Sequence, residues 1–202
     1  MFTGIVTDVG TVRSAEQRGD LRLVIATGYD MDTVDLGASI ACSGACLTVV
    51  DKGDDWFAVD VSAETVSKTA ADHWHEGSRL NLERSLRLGD EVGGHIVTGH
   101  VDAIGTVVGI SPEGDSKRVG IKVSQALGPM IAAKGSVALD GVSMTVNDVR
   151  EADDGSTHFS VNVIPHTGEH TTLGALAPET QLNVEVDVLA RYIDRMLSAR
   201  TQ

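Results

Sequence analysis

One stretch of sequence occurs twice and decides the fold: residues 39–49 read SIACSGACLTV, and residues 136–146 read SVALDGVSMTV. Five of the eleven positions are identical, and most of the others exchange similar residues. Four further blocks repeat in the same order. They are TGIV and TGHV at residues 3 and 98, GTV at 10 and 105, FAVDVSAET and FSVNVIPHT at 57 and 159, and LNLE and LNVE at 80 and 182. This order predicts the duplication of a unit of about 90 residues.

Each unit consists of short segments that are rich in Val, Ile and Thr and end at Gly, Asp or Asn, a pattern typical of β-strands. The spacing between repeated blocks grows from 95 to 97 to 102 residues, and the growth falls in polar stretches such as residues 151–155, which predicts loops there. Five or six strands per unit indicate a small antiparallel barrel or sandwich, because closure removes exposed strand edges.

Helical periodicity becomes clear only near the C-terminus. There an apolar stripe with spacings of three and four residues predicts an amphipathic helix: Leu189, Tyr192, Ile193, Met196 and Leu197. A helix this short needs a packing partner. The pattern leaves two partners open, the helix's own barrel and the same helix in neighbouring subunits.

Composition limits the partners. The chain has 202 residues, of which 42% are hydrophobic, and a formal net charge of −13. Nucleic acids and anionic membranes both require a basic face, so we expect neither as a partner. The N-terminal MFTGI lacks the features of a secretory signal, and no run is long enough to span a membrane, which predicts a cytoplasmic protein. A small molecule and a second copy of the chain are the expected partners.

The two cysteines, Cys42 and Cys46, are four residues apart in a strand-like run. If that run is one extended strand, they lie about 13 Å apart on one face, beyond the roughly 7 Å Cα limit for a disulfide. The C-x-x-C spacing of a structural zinc site and a second ligand pair are both missing. We therefore expect neither a disulfide nor a bound metal.

His100 is the histidine that the repeat singles out, because the matching residue of the first half is the apolar Ile5. One half thus carries a group that titrates near neutral pH where the other carries none. Five of the other six histidines fit ordinary surface or loop positions: His73, His75, His95, His166 and His170.

Cys46 and Ser143 occupy matching positions, and in each half an apolar residue and then a threonine follow, Thr48 and Thr145. Cys46 can be a small buried hydrophobic residue. Alternatively, a thiol and a hydroxyl at equivalent positions form similar polar pockets that each half uses differently.

Two charged residues and two dipeptides complete the set of candidate site residues. Lys134 fits a solvated loop, and Asp187 fits the N-cap of the C-terminal helix. The pairs Glu64-Thr65 and His166-Thr167 end matching strands and supply hydroxyls that can bind a polyol. The glycines match neither the dinucleotide nor the phosphate-loop spacing.

Over nearly its whole length the chain resembles the riboflavin synthase family of the duplicated lumazine-binding-barrel type. The motifs that carry the resemblance are MFTGIV at residue 1, GACLTV at 44, ET at 64, NLER at 81, GGH at 93, GHV at 99, DGVSMTV at 140, IPHT at 164, TTLG at 171 and NVEVD at 183. It departs from the family's usual pattern at Ser43, Val66, Ala71-Asp72 and Gly168.

The resemblance implies an all-β fold of two tandem, similar six-stranded antiparallel Greek-key barrels, at residues 1–92 and 93–187, and a C-terminal helix at 188–202. It also implies a homotrimer through that helix, with active sites between the first barrel of one subunit and the second barrel of its neighbour. The implied reaction converts two molecules of 6,7-dimethyl-8-ribityllumazine into riboflavin and 5-amino-6-(D-ribitylamino)uracil by transfer of a four-carbon unit, without a cofactor.

The main alternative is a non-catalytic relative that holds lumazine or flavin. Such relatives tend to lose the second pocket, whereas the polar positions of both pockets are present here, which favours the enzyme. A flavin-reductase-type barrel would require a β-α-β nicotinamide-binding pattern, which the sequence lacks.

On this resemblance our hypothesis gives acid and base work to His100 and the Ser143 and Thr145 hydroxyls, polar support to Lys134 and Asp187, and activation of the other ring to Cys46. The resemblance implies substrate contacts in the first barrel from Gly4, Ile5, Val6, Cys46, Leu47, Thr48, Asp60, Val61, Ser62, Ala63, Glu64 and Thr65. In the second barrel the implied contacts are Gly99, His100, Val101, Lys134, Ser143, Met144, Thr145, Ile164, Pro165, His166, Thr167, Gly168 and Glu169. The nucleophile for C7 of the lumazine ring can be Cys46, a water or a ribityl hydroxyl.

Overall fold

The computed structural model describes residues 1–200 as two closed six-stranded antiparallel barrels followed by a helix. The first barrel contains β1 (Asp8–Arg18), β2 (Asp20–Ala26), β3 (Ser39–Cys42), β4 (Ala45–Lys52), β5 (Trp56–Val61) and β6 (Arg79–Arg84). The second contains β7 (Ala103–Glu113), β8 (Ser116–Val123), β9 (Ser136–Leu139), β10 (Val142–Glu151), β11 (Thr157–Val163) and β12 (Gln181–Val186). The helices are α1 (Ala63–Lys68), α2 (Pro165–His170) and α3 (Val188–Ser198).

Both barrels have the same Greek-key strand order. Around the first barrel the order is β1-β2-β5-β4-β3-β6, and around the second it is β7-β8-β11-β10-β9-β12. The predicted fold class is therefore confirmed. The unit boundaries predicted at residues 92 and 187 stay predictions. The sequence did not predict α1 and α2, which begin within the last three residues of the FAVDVSAET and FSVNVIPHT blocks. Glu64-Thr65 and His166-Thr167 were expected to end strands, but they lie in these helices, because the strands stop at Val61 and Val163 and the chain turns into a helix there.

Alternating side chains fill the barrels, because every second residue of a strand faces inward. Residues that match between the two halves face inward on equivalent strands. Phe57 and Phe159 are buried on β5 and β11, and Leu80 and Leu182 are buried on β6 and β12. The repeated apolar pattern thus specifies two separate cores of one design.

The SIACSGACLTV stretch is a hairpin and not the single extended strand that the cysteine argument assumed. Ser43 and Gly44 turn the chain between β3 and β4 with φ values of 43° and 83°, the left-handed conformation that a two-residue hairpin turn requires. Cys42 pairs with Ala45, and Cys46 pairs with the preceding residue of β3. Successive cross-strand pairs face opposite sides of a sheet, so the two free thiols point away from each other.

The barrels meet where this turn contacts its copy in the second half, Asp140-Gly141. A Cβ atom added to Gly44 would lie 2.9 Å from the backbone N of Gly141, and one added to Gly141 would lie 2.8 Å from the N of Gly44. Any side chain larger than hydrogen would push the two backbones apart. Both glycines are therefore required by the close approach as well as by their φ values.

Two buried asparagines fasten this contact reciprocally. The side-chain amide of Asn81 donates to the Asp140 carbonyl at 2.9 Å, and that of Asn183 donates to the Ser43 carbonyl at 2.8 Å. Their amide oxygens accept bonds from backbone N–H groups of the opposite half, Thr172 for Asn81 and Ala70 for Asn183. Each barrel thereby satisfies buried polar groups of the other, which links the two units.

α3 packs on the second barrel through a charged side chain and leaves its apolar stripe exposed. Asp187 caps the helix by accepting from the Leu189 N–H at 2.9 Å, which confirms the N-cap interpretation. Arg191 forms an ion pair with Asp102 at 2.8 Å. Leu189, Tyr192, Ile193 and Met196 are 58–67% exposed. None of the helices in residues 1–200 is long and apolar enough to cross a membrane.

His73 forms a buried link between the barrels, although its sequence context suggested a surface or loop position. Its Nε2 lies 2.9 Å from Oδ1 of Asp140. The turn at Ala71–His73 carries the imidazole into the interface beside that carboxylate. Burial alone would lower the pKa of His73, but the charge of Asp140 and the hydrogen bond to it outweigh burial and raise the pKa.

We expect His73→Gln to destabilise the protein by about 1 kcal/mol, because a neutral amide replaces the charged donor to Asp140, and so to lower the melting temperature by about 2–4 °C. A raised folded-state pKa contributes stability that is fully present below the unfolded pKa and is lost as pH rises through the folded value. The deficit should therefore be larger at pH 6 than at pH 9. His75→Gln, at an exposed neighbour, should leave thermal unfolding unchanged. Equal melting curves for the two variants would contradict the link.

Candidate functional site

The start of each half runs between the barrels as an extended lead-in segment. The first lead-in segment is residues 2–6, the second is residues 97–101, and they bridge each other through two hydrogen bonds between Phe2 and Val97, at 2.8 and 3.1 Å. Phe2 is fully buried there between Ala41 and Ala138. The N-terminal phenylalanine is thus part of the interface between the barrels.

A buried glutamate at the end of the last strand of each barrel holds the lead-in segment of the same half. Glu83 accepts bonds from the N–H groups of Thr3 and Gly4 at 2.7 and 2.9 Å. Glu185 accepts in the same way from Thr98 at 2.7 Å and from Gly99 at 2.9 Å. Burial raises the pKa of Glu83, although the bonds from Thr3 and Gly4 oppose this.

Each lead-in segment also pairs with the hairpin of the opposite barrel. The Ser143 N–H donates to the Gly4 carbonyl at 2.8 Å, and the Cys46 N–H donates to the Gly99 carbonyl at 2.8 Å. Val6 packs on the core of the second barrel, and Val101 packs on the core of the first.

Because each lead-in segment crosses to the hairpin of the opposite barrel, the expected assignment of the site residues to the two barrels is corrected. Residues 4–6 were expected among the first-barrel contacts, but they lie beside the Ser143 hairpin of the second barrel. Residues 99–101 were expected among the second-barrel contacts, but they lie beside Cys46 of the first. The reason is that the chain passes through the interface at the Phe2–Val97 bridge, so each segment reaches across to the other hairpin.

The first pocket is a cavity of about 240 Å³ that the first barrel and the second lead-in segment share. It brings together six predicted site residues: Cys46, Glu64, Thr65, Gly99, His100 and Val101. Ala45, Lys68 and Thr69 complete the lining. Lys68 was missed, and the signal was its position four residues after Glu64, which places both side chains on one face of a helix.

The start of α1 fixes the polyol-binding candidates of this pocket. Ser62 caps the helix by accepting from the Thr65 N–H at 3.2 Å, which places Glu64 and Thr65 in the first turn. Other predicted first-barrel contacts lie elsewhere. Leu47 and Val61 are buried in the barrel core, whereas Thr48, Asp60 and Ala63 are exposed.

The matching region of the second half, around Ser143 on β10 and here called the second pocket, differs because the junction between the halves covers Ser143. Nδ1 of His95 lies 2.7 Å from Oγ of Ser143, and His95 as a whole residue is 9% exposed. His95 was assigned to an ordinary surface or loop position, and its buried contact with Ser143 corrects that expectation. The signal available in the sequence was its place directly after two glycines, Gly93 and Gly94.

The remaining second-barrel candidates are spread over several places. Thr145 and Lys134 are exposed, whereas Met144 is buried in the core. A separate cavity of about 340 Å³ at the start of α2 is lined by Ile164, Pro165, Gly168, Glu169 and neighbouring residues. His166 stacks on His170 with ring centroids 4.2 Å apart, and Thr167 is half-buried on the same helix.

Ile5 faces an open cleft of about 600 Å³ beside the end of β6, together with Tyr29, Glu83 and Arg84. Within residues 1–200, no group of three or more His, Cys, Asp and Glu side chains is placed to hold a metal ion.

Comparison with known proteins gives a consistent result. The family model described as Lumazine binding domain matches twice, at residues 3–85 and 98–187. The chain is 46% identical to riboflavin synthase of Brucella abortus, over 97% of this chain and 98% of that one. It is 42% identical to riboflavin synthase of Mycobacterium tuberculosis, over 98% of both chains.

Solved structures of LumP are similar in fold. The crystal structure of LumP complexed with 6,7-dimethyl-8-(1'-D-ribityl) lumazine has a TM-score of 0.79 and 26% sequence identity, and covers 92% of this chain and 99% of LumP. The crystal structure of LumP complexed with riboflavin gives the same TM-score, identity and coverage.

We expect Gly99→Ala to destabilise the protein by at least about 2 kcal/mol. A Cβ there would lie 2.5 Å from Cβ of Cys46, and φ is +80°, so a steric cost of about 1–3 kcal/mol adds to the cost of a left-handed backbone, about 1–2 kcal/mol. Gly19→Ala is the matched control, because Gly19 has a φ of +91° and nothing within 4 Å. Thermal unfolding measures the difference, and equal losses for the two variants would mean that the crossing at Gly99 is not close-packed.

Proposed function

The chain belongs to the riboflavin synthase family, with two lumazine-binding barrels, and on that premise we propose that it converts two molecules of 6,7-dimethyl-8-ribityllumazine into riboflavin and 5-amino-6-(D-ribitylamino)uracil. One substrate molecule transfers a four-carbon unit to the other. The reaction belongs to riboflavin biosynthesis and is that of a transferase. We place this activity in the cytoplasm.

The observation that carries this proposal is the presence of two matched hairpins, each completed by the lead-in segment of the other half. A reaction between two identical molecules needs two similar binding places. Holding both molecules converts a bimolecular encounter into an effectively unimolecular step, an advantage that can reach about 7–11 kcal/mol. The duplication of the barrel supplies both places in one chain.

We assign different chemistry to the two pockets. One lumazine ring must lose a proton from its C7 methyl group, and the anion that forms is delocalised into the pteridine ring. The other ring must accept a nucleophile at C7. His100, exposed at the first pocket, is suited to acid and base work, and Cys46 beside it is placed to activate a ring. The Ser143 and Thr145 hydroxyls serve the second ring, and Lys134 and Asp187 give polar support.

The ribityl chains are assigned to the starts of the two short helices. Glu64 and Thr65 begin α1 at the first pocket, and His166 and Thr167 take the matching place on α2. These side chains offer hydroxyl, carboxylate and imidazole groups that pair with several adjacent hydroxyls of a polyol.

We further propose that three subunits associate through α3 and share their active sites. The exposed apolar stripe of α3 supports this, because an amphipathic helix buries its apolar face. Arg191 supports it as well, since it ties α3 to Asp102 and donates to the His100 carbonyl at 3.2 Å. Association through α3 would therefore place a neighbouring subunit close to the first pocket.

A non-catalytic lumazine-binding protein is the second candidate, and the likeness to LumP bound to lumazine is the observation in its favour. The identity to LumP is 26%, against 46% for the Brucella riboflavin synthase. The deciding experiment mixes purified protein with 6,7-dimethyl-8-ribityllumazine and follows riboflavin formation. Binding of lumazine without turnover would favour the second candidate.

We expect Cys46→Ser to lower kcat at least about tenfold, or about 1.4 kcal/mol in barrier, while lumazine affinity stays nearly unchanged. A thiol that acts mainly in the transition state has this signature. Ser143→Cys should not restore the rate when it is added to Cys46→Ser, because the two pockets serve their rings differently. Unchanged turnover in Cys46→Ser would return Cys46 to the role of a packing residue.

We expect Ile193→Gln to weaken subunit association and to lower activity in parallel, because a polar amide replaces an exposed apolar residue of the α3 stripe. Arg195→Gln, at an exposed polar position of the same helix, should change neither. Sedimentation velocity and riboflavin formation are measured over a range of protein concentrations. A fully active monomer would contradict the shared active site.

A further inference from the structure

His95 is a buried imidazole that the mechanism above does not use. We infer that His95 is a positioning residue of the second pocket: its Nδ1–H donates to Ser143 Oγ and so turns the Ser143 hydroxyl proton toward an acceptor atom of the bound pteridine ring. The inference rests on the proposed function and deepens it, because it assigns Ser143 the role of a hydrogen-bond donor to the ring.

The backbone holds both partners of this hydrogen bond in place. The His95 N–H donates to the Thr3 carbonyl at 3.1 Å, and the Ser143 N–H donates to the Gly4 carbonyl at 2.8 Å. Adjacent backbone groups of the first lead-in segment thus fix both residues. The distance of 2.7 Å between Nδ1 and Oγ is a short hydrogen bond within this frame.

The residue before His95 shows how closely the junction approaches Ser143. A Cβ atom at Gly94 would lie 2.1 Å from the Thr3 carbonyl oxygen and 2.9 Å from Ser143 Oγ. Only glycine leaves room for the chain to bring the imidazole to the hydroxyl. The first pocket has no such cover, because the second lead-in segment brings the exposed His100 to Cys46 instead.

The other ring nitrogen decides which way the hydrogen bond runs. Nε2 of His95 is buried and has no hydrogen-bond partner within residues 1–200. Burial lowers the pKa of His95, although the charges of Asp187 and Glu185 oppose this, so the ring is neutral near pH 7. A proton on Nε2 would be a buried, unpaired N–H, which folded proteins avoid more strictly than an unpaired acceptor. The proton therefore resides on Nδ1.

A neutral ring protonated at Nδ1 leaves Ser143 one role toward the substrate. Its oxygen accepts the bond from His95, so its own proton is free to point into the pocket. A fixed donor next to a ring acceptor stabilises the anion that forms when the methyl group loses its proton more than it stabilises the neutral ring. Cys46, at the matching place in the first pocket, is a weaker donor.

The first test reads the tautomer directly in the unmodified protein. Nitrogen-15 chemical shifts of the histidine side chains distinguish a ring protonated at Nδ1 from one protonated at Nε2, and His95→Asn identifies the His95 signals by their loss. We expect the Nδ1–H form near pH 7. An Nε2–H form would overturn the inference without bearing on whether the protein makes riboflavin.

The second test uses matched variants. His95→Leu removes the donor and keeps the bulk, whereas His95→Asn retains an N–H near the position of Nδ1. We expect His95→Leu to lower kcat about tenfold with little change in KM, and His95→Asn to recover most of the rate. The double variant His95→Leu/Ser143→Ala should be no slower than Ser143→Ala alone, because His95 acts through Ser143. Full activity of His95→Leu, or additive losses in the double variant, would overturn the inference.

A spectroscopic readout separates this role from a purely structural one. Rapid-mixing absorbance follows the pH at which bound lumazine loses its methyl proton, before product accumulates. We expect His95→Leu and Ser143→Ala to raise that pH equally, and His95→Asn to leave it near the wild-type value. Wild-type protein that binds lumazine but forms no riboflavin would overturn the proposed function, whereas variants that titrate like an active wild type would overturn the inference alone.

Discussion

The contact between two glycine turns governs this structure. Gly44 and Gly141 bring two backbones so close that neither position has room for a side chain, and Asn81 and Asn183 hold them there by reciprocal hydrogen bonds. The hairpins that carry Cys46 and Ser143 lie on either side of this contact, and both lead-in segments pass along it. Both pockets therefore depend on a contact that itself includes no catalytic candidate.

The repeat blocks predicted the barrels well, because a duplicated pattern of short strands is a local signal. The hairpin within SIACSGACLTV was missed, although the second copy contains Asp140-Gly141, the strongest short-range sign of a two-residue turn. The sequence could not predict that each lead-in segment pairs with the hairpin of the opposite barrel. Gly4 contacts Ser143 and Gly99 contacts Cys46, and no local pattern reports contacts between residues so far apart in sequence. The sequence shows that His95 follows two glycines, but only the structure shows that it is buried against Ser143.

Symmetric backbones here carry asymmetric side chains. Ser43 corresponds to Asp140, which binds His73 on one side of the interface only. Ile5 corresponds to His100, and Cys46 corresponds to Ser143, which the junction covers with His95. In the proposed reaction, two identical substrate molecules would thus meet similar shapes with different polar groups. That difference is what a dismutation requires, since its two reactants must behave unlike each other.

The crossing also constrains how such a protein can have arisen. A single barrel of this design cannot complete its own pocket, because the segment that closes the pocket comes from the other unit. An ancestral chain of half this length would have needed to pair with an identical chain, each lending its N-terminus to the other. Gene fusion would then have converted a two-fold dimer into one polypeptide and freed the two copies to diverge. Compensating changes are accordingly expected between the halves, at pairs such as Gly4 with Ser143.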